Sequence, residues 1–115
     1  MSCVLRVWGV DLDIDGLLAT VIMKPLAVFQ KEKPRSEHVP HGKLCARFGE
    51  NFEISGADFS KLSEQVSDAV LFLKENREDL LKVRAFPGIE GMTIDFAANI
   101  DPERFRARLT FQMSY

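Results

Sequence analysis

The stretch Cys3-Val-Leu-Arg-Val-Trp-Gly-Val10 decides the fold. In an extended chain Cys3, Leu5 and Val7 fall on one side and Val4, Arg6, Trp8 and Val10 on the other. Both sides are mostly apolar and rich in β-branched residues. That is the pattern of a strand in the middle of a sheet, flanked on each side by a partner.

Working outward, the partners are found further along the chain. Residues 104–115 alternate: Phe105, Ala107, Leu109, Phe111, Met113 and Tyr115 on one face, Arg104, Arg106, Arg108, Thr110, Gln112 and Ser114 on the other. This is a long strand with one wet side, as in an antiparallel sheet. Met92–Ala97 reads as another strand, bounded by Gly91 and Asn99, and residues 26–30 as a short one. Leu44–Phe48 and Phe52–Ile54 carry a strand pattern interrupted at Gly49-Glu50-Asn51, by a tight turn or a bulge.

Helical spacing appears twice. Leu17, Leu18, Val21 and Ile22 predict a short helix capped by Asp13 or Asp15 and ended by Pro25, since a residue before proline leaves the helical region. A longer helix is predicted over 58–75, with Phe59, Leu62, Val66, Ala69, Val70 and Leu73 as its apolar stripe and Asp58 or Ser60 as its cap. Asn76 breaks it, and Glu78 and Asp79 open a second helical segment through Leu80, Leu81 and Val83. Pro87-Gly88 closes that segment.

The 115 residues are 46% hydrophobic and 28% charged, enough for one core and too few for two. The expectation is a single domain over 1–115: an α+β two-layer sandwich, a mainly antiparallel sheet with helices packed on one face, in the ferredoxin-like order β-α-β-β-α-β-β. No apolar run approaches the ~18 residues of a membrane span. The opening Met-Ser-Cys-Val-Leu-Arg-Val-Trp lacks the pattern of a signal peptide. Cys3 and Cys45, the two cysteines, sit in strand-like apolar contexts and read as reduced thiols, with a cytoplasmic location as the corresponding expectation.

The net charge of −2 conceals an uneven distribution. Residues 31–47 hold five basic side chains against two acidic ones, a local +3, while residues 48–83 hold four against eight, a local −4. Without an overall basic excess, neither nucleic acid nor a membrane surface is the expected partner.

Three constellations could carry chemistry. Asp11-Leu-Asp13-Ile-Asp15-Gly16 opens like a calcium loop, but Ile22 stands where the closing bidentate glutamate belongs. The simpler reading has these acids satisfying free amides at a helix start. Glu37, His38 and His41 could share a metal, although Pro40 prevents an ordinary helix through both imidazoles. Arg104, Arg106 and Arg108, joined by Arg6, could track phosphates, but Phe105 and Phe111 point to the other face. Charged side chains on a strand also discourage edge aggregation.

Leu5-Arg6-Val7-Trp8-Gly9 with Asp11-Leu12-Asp13, then Lys24-Pro25, then Phe29-Gln-Lys-Glu-Lys-Pro34-Arg35, resembles a group of small uncharacterised bacterial domains with a basic "FxKGxPR"-like stretch. The helix Phe59–Leu73, Ile89-Glu90 and the strand Met92–Phe96 follow the same order. In this reading Lys33 stands where the group has glycine. The group carries no established activity, so the resemblance supplies no catalytic residues to transfer. Some relatives look like toxin-immunity proteins, which inhibit a partner by binding it.

The expectation is therefore a non-catalytic, cofactor-free protein-interaction module, immunity-like in type. Lys31, Lys33, Arg35, Arg104, Arg106 and Arg108 are its candidate contacts, and an exposed sheet edge offers a route to homo-oligomers. The alternative is a metal-binding or metal-assisted enzyme built on the His38/His41 loop, with Glu37 or the acids at 11, 13 and 15.

Overall fold

A computed structural model describes residues 2–34 and 44–97 in full and the backbone of 98, 99 and 106–112. Eight elements follow one another: β1 (Cys3–Gly9), α1 (Ile14–Thr20), β2 (Ala27–Phe29), β3 (Phe48–Ser55), α2 (Leu62–Glu75), α3 (Arg77–Ala85), β4 (Gly91–Asn99) and β5 (Arg106–Gln112). The strands form one antiparallel sheet in the order β2-β3-β1-β4-β5. This is the expected α+β class, with one helix more than the expected order, because α3 follows α2 before the chain returns to the sheet.

The doubly apolar N-terminal stretch is the central strand. Its odd residues Cys3, Leu5 and Val7 are buried, and their register partners Phe96, Ile94 and Met92 on β4 and Phe52 on β3 extend the same surface. Ile14 and Leu17 of α1, Ala69 of α2 and Val83 of α3 close over it. The helices therefore cover one face, and the even residues of β1 emerge on the other.

Four expectations need correction. The chain does not turn at Gly49-Glu50-Asn51; β3 runs straight through it, and the irregular register lies at its far end, where Cys3 pairs with Ser55 but Val4 with Glu53. The short helix ends at Thr20, before Pro25 is reached. Asp79 at the start of α3 accepts the amides of Ile22 and Met23, both at 2.8 Å, and draws the chain out of the helix. Ile22 is consequently 85% exposed.

The longer helix begins at Leu62 with Lys61 as its cap, because Asp58 and Ser60 form their own turn, with the Ser60 amide and hydroxyl both donating to Asp58 Oδ1. Its apolar stripe is also rotated. Gln65 and Ala69 are buried, whereas Val66 and Val70 are 45% and 46% exposed. The Gln65 side-chain amide donates to the Ala97 carbonyl at 2.8 Å and to the Asp58 carbonyl at 3.3 Å. Successive helical residues differ by about 100°, so this anchor turns position 65 inward at the expense of 66.

Between β2 and β3 the basic stretch begins as a two-stranded arm. The Glu32 amide donates to Cys45 and the Cys45 amide to Lys33, each at 2.9 Å, and Pro34 bridges to Leu44. The Lys33 amide closes a turn onto the Gln30 carbonyl at 3.1 Å, and Glu32 has φ +66° within that turn. The glycine-like position of this stretch is thus 32 and not 33.

Candidate functional site

The face of the sheet away from the helices carries a cavity of about 280 Å³. Its floor is Arg6 and Trp8 of β1 with Asn51 of β3, Phe29 of β2 forms one wall, and Leu44, Cys45 and Arg47 from the arm form the rim. Strand alternation places Arg6, Trp8 and Asn51 together, since Arg6 registers with Asn51 and Trp8 with Gly49.

Trp8 lies flat because its register partner on the other side is Gly91. A Cβ at Gly91 would stand 2.2 Å from the indole ring, an impossible contact. A glycine inside a strand commonly marks such a close approach. The Arg47 guanidinium stacks on the exposed side of the ring, 4.9 Å from its centroid. A cation in that position is attracted by the ring quadrupole, by roughly 0.5–1 kcal/mol at an exposed site.

The two guanidiniums differ in their neutralisation. Arg6 Nε is paired with the Asp95 carboxylate on β4. Arg47 has no acidic side chain within salt-bridge distance among the described residues. Among the described residues, one cation is held by the sheet and the other has no acidic partner at the mouth. Together with the Asn51 amide and the rings of Trp8 and Phe29, these side chains have the chemistry to hold a planar, negatively charged group: guanidinium matches carboxylate geometry, and the rings supply contact area.

Glu50, between the cavity residues Gly49 and Asn51, points the opposite way. Its side chain is fully buried on the helix side, and neither carboxylate oxygen has a hydrogen-bond partner among the described residues. Burial alone pushes its carboxyl up to about 7. Cys3 is also buried, and desolvation, then the nearby Asp95 and Asp68 carboxylates, push its thiol up to about 12, which makes it an inert core residue. Cys3 and Cys45 are both unbonded thiols.

The residues singled out from sequence are dispersed. Asp13 is the cap of α1, its side chain accepting the Gly16 amide at 3.1 Å, while Asp11 and Asp15 are exposed. Lys31 and Lys33 belong to the arm. Arg106 and Arg108 register with Asn99 and Ala97 at the β4–β5 edge. Glu37, His38, His41, Arg35 and Arg104 lie outside the described residues. Among the described residues no group of three or more His, Cys, Asp or Glu side chains is placed to share a metal ion, and no helix is long and apolar enough to cross a membrane.

Sequence reasoning missed Trp8, Arg47, Asn51 and Glu50 as a neighbourhood. The available signal was the pair Gly49 and Gly91, glycines on strands flanking the single tryptophan. Compared with models of protein families, with curated proteins and with solved structures, the chain matches none. Its functional reading therefore rests on the geometry above.

Proposed function

We propose that this chain is a non-catalytic protein-interaction module that takes a carboxylate-bearing segment of a protein partner into the cavity on its open sheet face. The observation that carries this reading is the Arg47 guanidinium, stacked on Trp8 beside Arg6 at the cavity mouth with no acidic partner among the described residues. Tryptophan and arginine are the residue types that most often dominate protein interfaces. An arginine pair of which only Arg6 has an acidic partner among the described residues, on an otherwise acidic chain, favours acidic protein segments, and two guanidiniums are too little for a polyanionic backbone.

Trp8 is the only tryptophan, so its fluorescence reports this site directly. Titration with an acidic peptide containing one aromatic residue should give a saturable change, weakened by salt. The isosteric peptide with Gln and Asn for Glu and Asp should give none. Arg47→Ala should weaken binding about tenfold or more, the value of one charge-assisted contact. Equal response to both peptides, or unchanged affinity in Arg47→Ala, would reject the reading, as would tighter binding of a single-stranded oligonucleotide.

A further inference from the structure

Glu50 occupies the third position of β3, paired across the sheet with Val7 on β1 and Val28 on β2. A carboxylate in such a place has lost its water and gained no donor among the described residues, whereas a neutral carboxyl tolerates the site far better. β2 is the outermost strand at this edge and only three residues long, with Val28 already 40% exposed. The strand on Glu50's other side, β1, is the centre of the sheet. Water therefore reaches Glu50 most readily by displacing β2. The same displacement alters the cavity, because Phe29 of β2 is one wall and Gly49 and Asn51, flanking Glu50, line it too.

Among the described residues no other charge holds Glu50. β2 contributes no titratable side chain, and Arg6 of β1 and Glu53 of β3 lie on the opposite face. Asp15 of α1 is exposed, as are Glu64, Lys74 and Glu75 of α2. Asp68 of α2 is bonded to the Ser55 hydroxyl at the far end of β3 at 2.6 Å, and Asp79 of α3 is occupied by the Ile22 and Met23 amides. Burial is accordingly the one cause of its altered acidity.

We propose that Glu50 is a proton-operated latch on the β2–β3 edge: while the carboxyl is neutral β2 stays docked and the cavity is formed, and on ionisation β2 is released and a cavity wall is lost. The consequence for binding rests on the interaction reading above; the latch itself does not.

The test is amide hydrogen exchange of the full chain from pH 5.5 to 8.5, expressed as protection factors so that the intrinsic effect of pH on exchange is removed. With the carboxyl titrating near 7 when docked and near 4.5 when exposed, protection at residues 26–29 should fall about 30-fold over that range. Residues 26–29 should be less protected than the core of α2 at every pH, which marks an opening of the edge below global unfolding, and in Glu50→Gln residues 26–29 should show no fall. If Glu50→Gln does not fold, Glu50→Leu serves with the same expectation. Constant protection in the wild type, protection at residues 26–29 equal to that of the α2 core, or a fall that persists in the variant would overturn the latch.

Acidic-peptide affinity measured through Trp8 over the same range should decline with pH in the wild type alone. If the peptide binds at no pH while the exchange result holds, the interaction reading fails and the latch stands. If the peptide binds and exchange is flat, the latch fails and the interaction reading stands.

Discussion

The sheet has two faces built from the same strands, and they are stabilised in different ways. Toward the helices it presents Cys3, Leu5, Val7, Phe52, Met92, Ile94 and Phe96, none more than 7% exposed. On the other face, one residue along each strand, it presents the half-buried Arg6, Trp8 and Asn51, with Thr93 and Asp95 buried beside them. The first face gains its stability from apolar area removed from water, the second from an ion pair, a stacked guanidinium and an indole laid over a glycine. A strand can serve both because its side-chain period is two, and one slip in register would exchange the two sets. The helix face therefore has to fix the register, and the open face is free to carry recognition.

Adjacent positions on β3 provide the most direct way to break this contrast. Phe52→Ala should lose about 3–5 kcal/mol in chemical denaturation, because it empties a large site in the core. Asn51→Ala, one residue away, should stay within about 0.5 kcal/mol. Comparable losses at the two positions would mean that the open face is structural, and the recognition reading would lose its basis.

Glu50 is the exception to the contrast, an acidic side chain on the dry face, and it sets the next effect. Its folded-state carboxyl is raised from 4.5 to about 7, so the folded protein binds the proton more tightly than the unfolded chain. Stability should then be fully present below about pH 4.5, decline as pH rises through about 7, and level off above. The full span is about 3 kcal/mol, since each pKa unit corresponds to about 1.4 kcal/mol. Glu50→Leu should remove this decline and be the more stable protein at pH 8. A wild-type stability that rises between pH 5 and 8 would place a donor on Glu50 and sink this account.

On the open face the corresponding weak point is Gly91. A Cβ there meets the indole at 2.2 Å, so Gly91→Ala must lift Trp8 or move the strand. Overpacking of this kind costs about 1–3 kcal/mol, and the displaced ring should change its emission and lose its contact with Arg47. If Trp8 emission and stability are unchanged, the indole does not lie over Gly91 and the cavity floor is different.

What could be read from the sequence follows from the same contrast. β1 was legible because both its faces are apolar, and the helix over 77–85 because Asn76 and the acids behind it mark a restart. The stripe of α2 was misread because Gln65 looks like a surface residue. Only the Ala97 carbonyl, brought near by the sheet, makes it a core one. Gly49-Glu50-Asn51 reads as a turn or a bulge because Gly49 and Asn51 are turn-favouring types, and only the pairing with β1, which sets position 49 at 3.0 Å from the Val7 carbonyl oxygen, accounts for a glycine inside the strand. The candidate site escaped for a related reason. Arg6, Trp8, Arg47 and Asn51 are ordinary one by one, and what joins them is the antiparallel pairing of β1 with β3.

The smallest expected effect tests the arm that forms the cavity rim. Glu32 adopts φ +66° in the turn closed by the Lys33 amide on Gln30, a conformation that costs a side-chain-bearing residue about 1–2 kcal/mol. Glycine removes that strain but is more flexible in the unfolded chain, by about 0.5–1 kcal/mol. Glu32→Gly should therefore stabilise the protein by roughly 0.5–1 kcal/mol, since the backbone bond from residue 32 to Cys45 survives the change. Lys33→Gly gains nothing of the kind, because position 33 is not left-handed, and should lose about 0.5–1 kcal/mol instead. The opposite signs at neighbouring positions separate turn geometry from any general effect of removing charge in the basic stretch. A loss at both would show that the Glu32 side chain itself holds the arm over the open face.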